Sequence, residues 1–159
     1  MPCSDNTARP LVDIILPDIT VGHPDEALHY LANMASPHIS IDTRIIQQRL
    51  MALEKQEGTG IGSGVALPHL RLSGADQSLA IFARNRHWLD FEAVDDTPVN
   101  LLCLLVSPAD YPAGHLRRLS RLTRALRDNV LLSRLRAAES RDVIEILLTS
   151  DSPSHLHAA

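Results

Sequence analysis

The chain has 159 residues, of which 45% are hydrophobic and 21% charged, and this predicts one globular domain that buries about two-thirds of its unfolded surface. The formal net charge is −4, and the arginines of residues 117–127 are scattered, so nucleic acid is not predicted as the main ligand. The polar residues 1–10 lack an apolar signal core, and the longest purely apolar run, residues 101–106, is too short to cross a membrane. Two cysteines, Cys3 and Cys103, make no disulfide framework, which favours a reducing cytoplasm.

In chain order, residues 1–10 are predicted as a disordered lead, residues 11–148 as one domain and residues 149–159 as a loose polar tail. The domain starts with residues 11–16, predicted as a strand or a single helical turn, and residues 19–21, predicted as a second strand-like piece.

Two helices are predicted next. Pro24 stands in the first turn of one helix, where proline is tolerated, and apolar residues recur at helical spacing until Pro37. Asp42 is the predicted cap of the second helix, which ends at Gly58 because glycine is a natural terminator.

The strands of the second half are predicted over residues 65–67, 78–84 and 99–106. The third of these is apolar on both faces, as is typical of a central strand covered by helices. A connection over residues 88–98 separates it from the strand before.

Three further helices complete the domain. The first follows Gly114 and is predicted to turn four leucines to the core and its arginines away from it: Leu116, Leu119, Leu122 and Leu126. A short helix is predicted over residues 130–137, and Ser140 caps the last one. The pattern predicts an α/β fold, a three-layer sandwich with a mixed central sheet and helices on both faces.

Residues 58–69 (GTGIGSGVALPH) stand out, since four of the seven glycines fall in their first seven positions. Glycine at this density weakens regular structure but leaves peptide N–H groups uncovered, and such groups can form a concave anion site. His69 follows a few residues later. A nucleophilic nitrogen beside donors for phosphoryl oxygens is the combination that a phosphoryl-accepting histidine requires.

A plain turn and two nucleotide-binding motifs are the alternative interpretations of this stretch. A glycine-rich turn without a binding role is its more frequent meaning, and a histidine after proline is often an ordinary loop residue. A dinucleotide-binding Gly-x-Gly-x-x-Gly would need glycine at position 63 or 65, and a P-loop would need Gly-Lys-Ser/Thr after the glycines. Neither condition is met.

The stretch resembles the active-site signature of phosphotransferase-system enzyme IIA of the fructose/mannitol type, which reads approximately STGIGxGIAIPH. The likeness covers residues 11–148 and is clear in further blocks: residues 89–99 (LDFEAVDDTPV), 104–110 (LLVSPAD), 115–116 (HL) and 132–138 (LSRLRAA). The nitrogen-regulatory branch of the family, rather than the sugar-specific one, is the branch that it most resembles.

The resemblance implies that His69 accepts a phosphoryl group on Nε2, by direct in-line transfer from an HPr-like or NPr-like phosphocarrier protein. It implies that His115 is the second histidine, which stabilises the phosphoryl group from the start of a helix. Phosphoryl binding is further predicted for the hydroxyl of Thr59 and the backbone N–H groups of three glycines: Gly60, Gly62 and Gly64. Apolar residues around His69, with Leu67 and Leu70 as the candidates, are predicted to dock the carrier.

Two positions depart from the family. An arginine stands sixteen residues before the active histidine in the family, where this chain has Leu53, although the neighbouring Glu54 is kept. Loss of one donor to a phosphoryl transition state costs about 3–4 kcal/mol. Three cations are candidates to replace it: Arg49, Lys55 and Arg71. The glycine common after the active histidine is replaced by Leu70.

No metal site and no cofactor are predicted. A zinc site needs paired ligands at short spacing, and His155-x-His157 alone is a weak signal. The sequence is compatible with two functions. The first is a phosphoryl-carrying IIA domain whose phosphorylation state controls partner proteins, and the second is a binding-only module that keeps the fold without turnover.

Overall fold

The computed structural model describes residues 9–149. The elements in chain order are β1 (Ile14–Ile19), α1 (Pro24–Ile39), α2 (Thr43–Glu57), β2 (Gly60–Gly62), β3 (Val65–Ala66), β4 (His69–Leu72), β5 (Leu79–Leu89), β6 (Val99–Pro108), α3 (Pro112–Leu126), α4 (Asn129–Ala137) and α5 (Arg141–Thr149). The predicted loose ends fall almost entirely on residues 1–8 and 150–159, outside the described residues, and stay a prediction.

The strands form one mixed sheet in the order β1-β5-β6-β3-β2, and β4 also pairs with β6. β6 is antiparallel to β5 and parallel to β3 and β4, while β1 is parallel to β5. Residues 99–107 of β6 are buried throughout, which confirms the predicted central strand.

Helices cover both faces of the sheet and enclose two separate cores. The first core joins α1 and α2 to one face, through residues such as Leu28, Ile46 and Leu104. The second joins α3, α4 and α5 to the other face, through residues such as Leu122, Leu132 and Ile144. The three-layer sandwich predicted from the sequence is therefore confirmed.

Local signals placed several helix ends correctly. Asp42 Oδ1 accepts a hydrogen bond of 2.7 Å from the Arg44 backbone N–H at the start of α2, and Gly58 ends that helix at φ +70°. Ser140 Oγ accepts from the backbone N–H of Val143 at the start of α5.

The predicted end of α1 at Pro37 was wrong, because the helix continues to Ile39. Proline removes the hydrogen bond to the carbonyl of Asn33, but both residues lie on the exposed side of the helix, where the lost bond costs less than it would in the core. Ile39 is fully buried in the first core. Burial of this side chain favours the extra turn.

Of residues 11–16 and 19–21, predicted as two pieces, only residues 14–16 and 19 lie in a strand, and they belong to one strand, β1, that contains Pro17. β1 lies at an edge of the sheet, where a residue without an N–H is tolerated, and its register shifts between Leu16 and Ile19. β5 is longer than predicted and ends at Leu89, so the connection to β6 starts at residue 90.

The glycine-rich stretch folds as a hairpin of β2 and β3 rather than as a loop, and the strand predicted over residues 65–67 covers only Val65–Ala66. Asp95, in the connection between β5 and β6, contacts the turn of the hairpin, and its carboxylate accepts a hydrogen bond of 2.9 Å from the Ser63 backbone N–H. A new strand, β4, begins at His69. It was missed because four residues carry little periodicity.

The arginines of α3 do not all lie away from the core. Arg118 is 2% exposed, and its Nη2 lies 2.7 Å from Asp13 Oδ2. Conversely Leu116, predicted on the core face, is 63% exposed. The leucine spacing therefore predicted the buried face of α3 correctly at Leu122 and Leu126 but not at Leu116. The burial of Arg118 depends on its long-range ion pair with Asp13, which helical spacing does not indicate.

Gly60 is required by a close approach of two backbones, and its substitution provides a test of the hairpin packing. A Cβ at this position would lie 2.6 Å from Ala93 Cβ and 2.9 Å from Ala93 Cα. We expect Gly60→Ala to lower the free energy of unfolding by about 1–3 kcal/mol, measured by urea titration. Gly22→Ala is the matched control, because a Cβ there meets nothing within 4 Å. Equal stability of the two variants would contradict this packing.

Candidate functional site

The site starts from the alternation of side chains along β4. Leu70 and Leu72 are buried in the first core, under α1 and α2. His69 and Arg71 therefore project from the opposite face, because successive residues of a strand point to opposite sides. That face is the one covered by α3.

β4 is in register with the end of β6. His69 pairs with Leu105 and Arg71 with Ser107. Leu105 belongs to the second core, so this register puts His69, Arg71 and Ser107 on one side of the sheet. Residues 109–111 then turn the chain into α3, which returns across the end of β6.

This return brings the two predicted histidines together. His69 Nδ1 lies 3.2 Å from His115 Nε2, and the two ring centroids are 5.4 Å apart at an interplanar angle of 42°. His115 is 7% exposed, whereas His69 is half-buried. The contact engages Nδ1 of His69 and leaves its Nε2 outside the pair.

His115 lies in the first turn of α3, as predicted, but its own backbone N–H donates to the carbonyl of Tyr111. At this position the His115 ring is held in place at the positive end of the α3 dipole. The other nitrogen of the ring, Nδ1, lies 2.8 Å from Ser107 Oγ.

Burial keeps both imidazoles neutral near pH 7. It lowers the pKa of His69 below 6.5, and the nearby Glu57 carboxylate acts against this shift. Burial, together with smaller contributions from His69 and Arg71, lowers the pKa of His115 to about 4. A neutral His69 has one ring nitrogen with a free lone pair, which a nucleophile needs.

The cation that the resemblance places at position 53 is absent, since Leu53 packs against the first core. Arg71 is exposed and lies two residues after His69 on the same face of β4. Its charge acts on His115. Of the three candidates considered, Arg71 is the one that the strand geometry supports.

The residues predicted to bind the phosphoryl group have identifiable neighbours within the protein. Thr59 is buried, and its hydroxyl donates to the Glu54 carboxylate. A Cβ on the glycines would meet Ala93 at Gly60, Asp95 at Gly62, and Trp88 with Arg136 at Gly64. Their contribution to phosphoryl binding stays a prediction.

Leu67 and Leu70, the predicted docking residues, are 4% and 5% exposed, so they do not offer a surface. Both are close to His69 in sequence, but Leu70 packs in the first core and Leu67 in the second. The exposed apolar residues around the start of α3 are Tyr111, at 43%, and Leu116, at 63%.

Four residues behind His115 were missed by the sequence analysis: Asp13, Ser78, Ser107 and Arg118. They belong to different segments of the fold, and polar residues next to strand ends, such as Ser78 and Ser107, usually signal only turns. The available signal was that Ser107 belongs to the block at residues 104–110 that carries the resemblance.

Among residues 9–149, no group of three or more His, Cys, Asp or Glu side chains is arranged to hold a metal ion. In the same range, no helix has the length and apolar character needed to cross a membrane.

A known protein family and known proteins resemble this chain over most of its length. Residues 12–150 match the family described as "Phosphoenolpyruvate-dependent sugar phosphotransferase system, EIIA 2". A nitrogen regulatory protein of Bradyrhizobium diazoefficiens is 35% identical over 148 residues, which are 93% of this chain and 95% of that protein.

Two solved structures share the fold. The nitrogen regulatory protein IIA-Ntr of Neisseria meningitidis matches with a TM-score of 0.81 and 31% identity, over 88% of this chain and 95% of that one. The mannitol IIA of Escherichia coli matches with a TM-score of 0.69 over 84% of this chain and 94% of that one, and at 19% identity it supports the fold alone. The chain therefore belongs to the EIIA type 2 family of the phosphoenolpyruvate-dependent sugar phosphotransferase system and is similar to its nitrogen regulatory proteins.

Proposed function

We propose that His69 accepts a phosphoryl group on Nε2 from an HPr-like or NPr-like phosphocarrier protein in the cytoplasm, and that its phosphorylation state controls partner proteins. Members of this family are components of a phosphotransferase system. The observation that carries the proposal is the His69–His115 pair, which engages Nδ1 of a half-buried, neutral imidazole and leaves Nε2 available.

The proposed step is one substitution at phosphorus. The lone pair of His69 Nε2 forms a new P–N bond while the bond from phosphorus to the carrier breaks and its electron pair returns to the carrier. The positive charge that develops on the imidazole is shared with His115 through the Nδ1 contact. No separate base is needed, because the attacking nitrogen is already unprotonated.

Arg71 is proposed as the cation that stabilises the transferring phosphoryl oxygens. It shares a strand face with His69, and arginine pairs with phosphate in two parallel hydrogen bonds. This placement offsets the loss of the family arginine at Leu53. The carrier is proposed to dock on the exposed apolar surface of Tyr111 and Leu116, next to His115.

A second candidate is a binding-only module, and the observation that favours it is Leu53, since its side chain packs in the core and supplies no cation. Phosphorylation assays separate the two functions. A module that only binds forms the complex with the carrier but gains no phosphate.

Transfer to His69 is tested by mass spectrometry after incubation with a phosphorylated HPr-like carrier. We expect an acid-labile mass gain of one phosphate, which His69→Ala abolishes. His29→Ala is the matched control, because His29 is exposed on α1 and contacts Asn33. Absence of the mass gain with several competent carriers would support the binding-only module instead.

The neutral state of the nucleophile is tested by NMR titration of the imidazole C–H signals. We expect a midpoint for His69 below 6.5 and one for His115 of about 4, because burial disfavours both charged forms. In Glu57→Gln the midpoint of His69 should fall further, since a carboxylate that favours the imidazolium is removed. A midpoint for His69 above 6.5 would contradict the burial argument.

The role of Arg71 is tested by Arg71→Gln. Loss of one preorganised donor to the phosphoryl group should slow transfer about 10²–10³-fold, measured by rapid-quench kinetics with the phosphorylated carrier. Arg49→Gln, an exposed arginine of α2, is expected to transfer at the unmodified rate. An equal rate for Arg71→Gln would exclude Arg71 as the cation while leaving His69 as the acceptor.

A further inference from the structure

A chain of polar side chains leads inward from the two histidines and has no part in the function proposed so far. His115 Nδ1 lies 2.8 Å from Ser107 Oγ, on the side of the ring away from His69. Ser107 is 2% exposed, so solvent does not compete with His115 for its hydroxyl. The next member is Ser78, whose Oγ lies 3.4 Å from Ser107 Oγ.

The inner end of this chain is anchored by a buried charge. Arg118 Nη1 donates to Ser78 Oγ at 2.9 Å, while Arg118 Nη2 lies 2.7 Å from Asp13 Oδ2. Asp13 Oδ2 also accepts the backbone N–H of Ala80 at 2.8 Å. These contacts join the start of β5, the N-terminal segment and α3, so the position of Ser78 relative to α3 is fixed.

Proton positions along the chain depend on one another. A neutral imidazole has one N–H donor and one acceptor nitrogen, and a hydroxyl can donate or accept. If Ser107 donates to His115 Nδ1, then His115 carries its proton on Nε2 and donates to His69 Nδ1. The proton of His69 then lies on Nε2, and the free lone pair is engaged with His115.

The opposite arrangement leaves the reactive lone pair free. If Ser107 accepts from the Nδ1–H of His115, then His115 Nε2 is an acceptor and the Nδ1–H of His69 donates to it. The lone pair of His69 is then on Nε2, which lies outside the pair. Ser107 can accept here because its own proton has an acceptor in Ser78 Oγ, and the proton of the half-buried Ser78 can be directed to solvent.

We propose that Ser107 is a positioning residue that holds His115 in the Nδ1–H form and so keeps the lone pair of His69 on Nε2. This inference rests on the proposed function, since only attack by Nε2 makes the arrangement useful. Ser107 acts through His115 and does not touch the phosphoryl group. The hydroxyl orders the tautomers of both rings before the carrier arrives.

The direct test is a long-range ¹H–¹⁵N correlation spectrum of the unphosphorylated protein with labelled histidine, at a pH above both midpoints. This experiment distinguishes protonated from unprotonated ring nitrogens. We expect the proton on Nδ1 in both His69 and His115. In Ser107→Ala the ratio of the Nδ1–H to the Nε2–H form of His115 should fall about tenfold, the usual effect of losing one buried hydrogen bond.

Function should follow the tautomers. Transfer from the carrier should slow about tenfold in Ser107→Ala, and Ser107→Thr, which keeps the hydroxyl, should restore both the tautomer ratio and the rate. Ser120→Ala is the matched control, because this exposed serine lies on α3 and is not one of the polar side chains that lead inward from His115. A merely structural role would not shift the ¹⁵N signals of a folded variant.

Two results would overturn the inference: Nε2–H as the main form of His69 in the unmodified protein, or unchanged tautomers in folded Ser107→Ala. Failure of the proposed function looks different. In that case the tautomer ratio changes in Ser107→Ala and is restored in Ser107→Thr as expected, but no carrier phosphorylates His69.

Discussion

The parallel pairing of β4 with β6 is the constraint on which the site depends. Its register sets His69 beside Leu105 and Arg71 beside Ser107. A slip of one residue would turn His69 into the first core and bring Leu70 under α3, because side chains alternate along a strand. Burial of Leu70 and Leu72 in the first core specifies the register, so apolar packing on one face positions the polar groups on the other.

The second requirement is that α3 holds His115 at a fixed height above the sheet. Arg118 supplies this, as its guanidinium is buried and bonded to Asp13, Ser78 and two backbone carbonyls of residues 10–11. A buried charge without partners would be costly, so this arginine tolerates few other positions. One helix thus carries both the second histidine and the group that anchors it, three residues apart.

Environment rather than residue type keeps the two histidines neutral near pH 7. An exposed imidazole is partly protonated near pH 7, whereas burial here lowers the pKa of both rings. Arg71 is exposed and adds positive charge on the same face of β4 as His69, while Glu57 opposes the lowering of the His69 pKa. A neutral imidazole and an exposed positive charge therefore lie on the same strand face, an arrangement that suits the proposed phosphoryl transfer.

Four features could be predicted from the amino-acid sequence: the α/β class, the central strand at residues 99–106, the helix ends at Asp42 and Gly58, and the two candidate histidines. These features follow from local patterns or from the blocks of family resemblance. Three features could not be predicted and depend on tertiary contacts: the strand that begins at His69, the burial of Arg118 and the contact of Ser107 with His115. Each of these depends on contacts between different elements, and a short strand or a buried ion pair is stabilised by partners that local sequence does not specify.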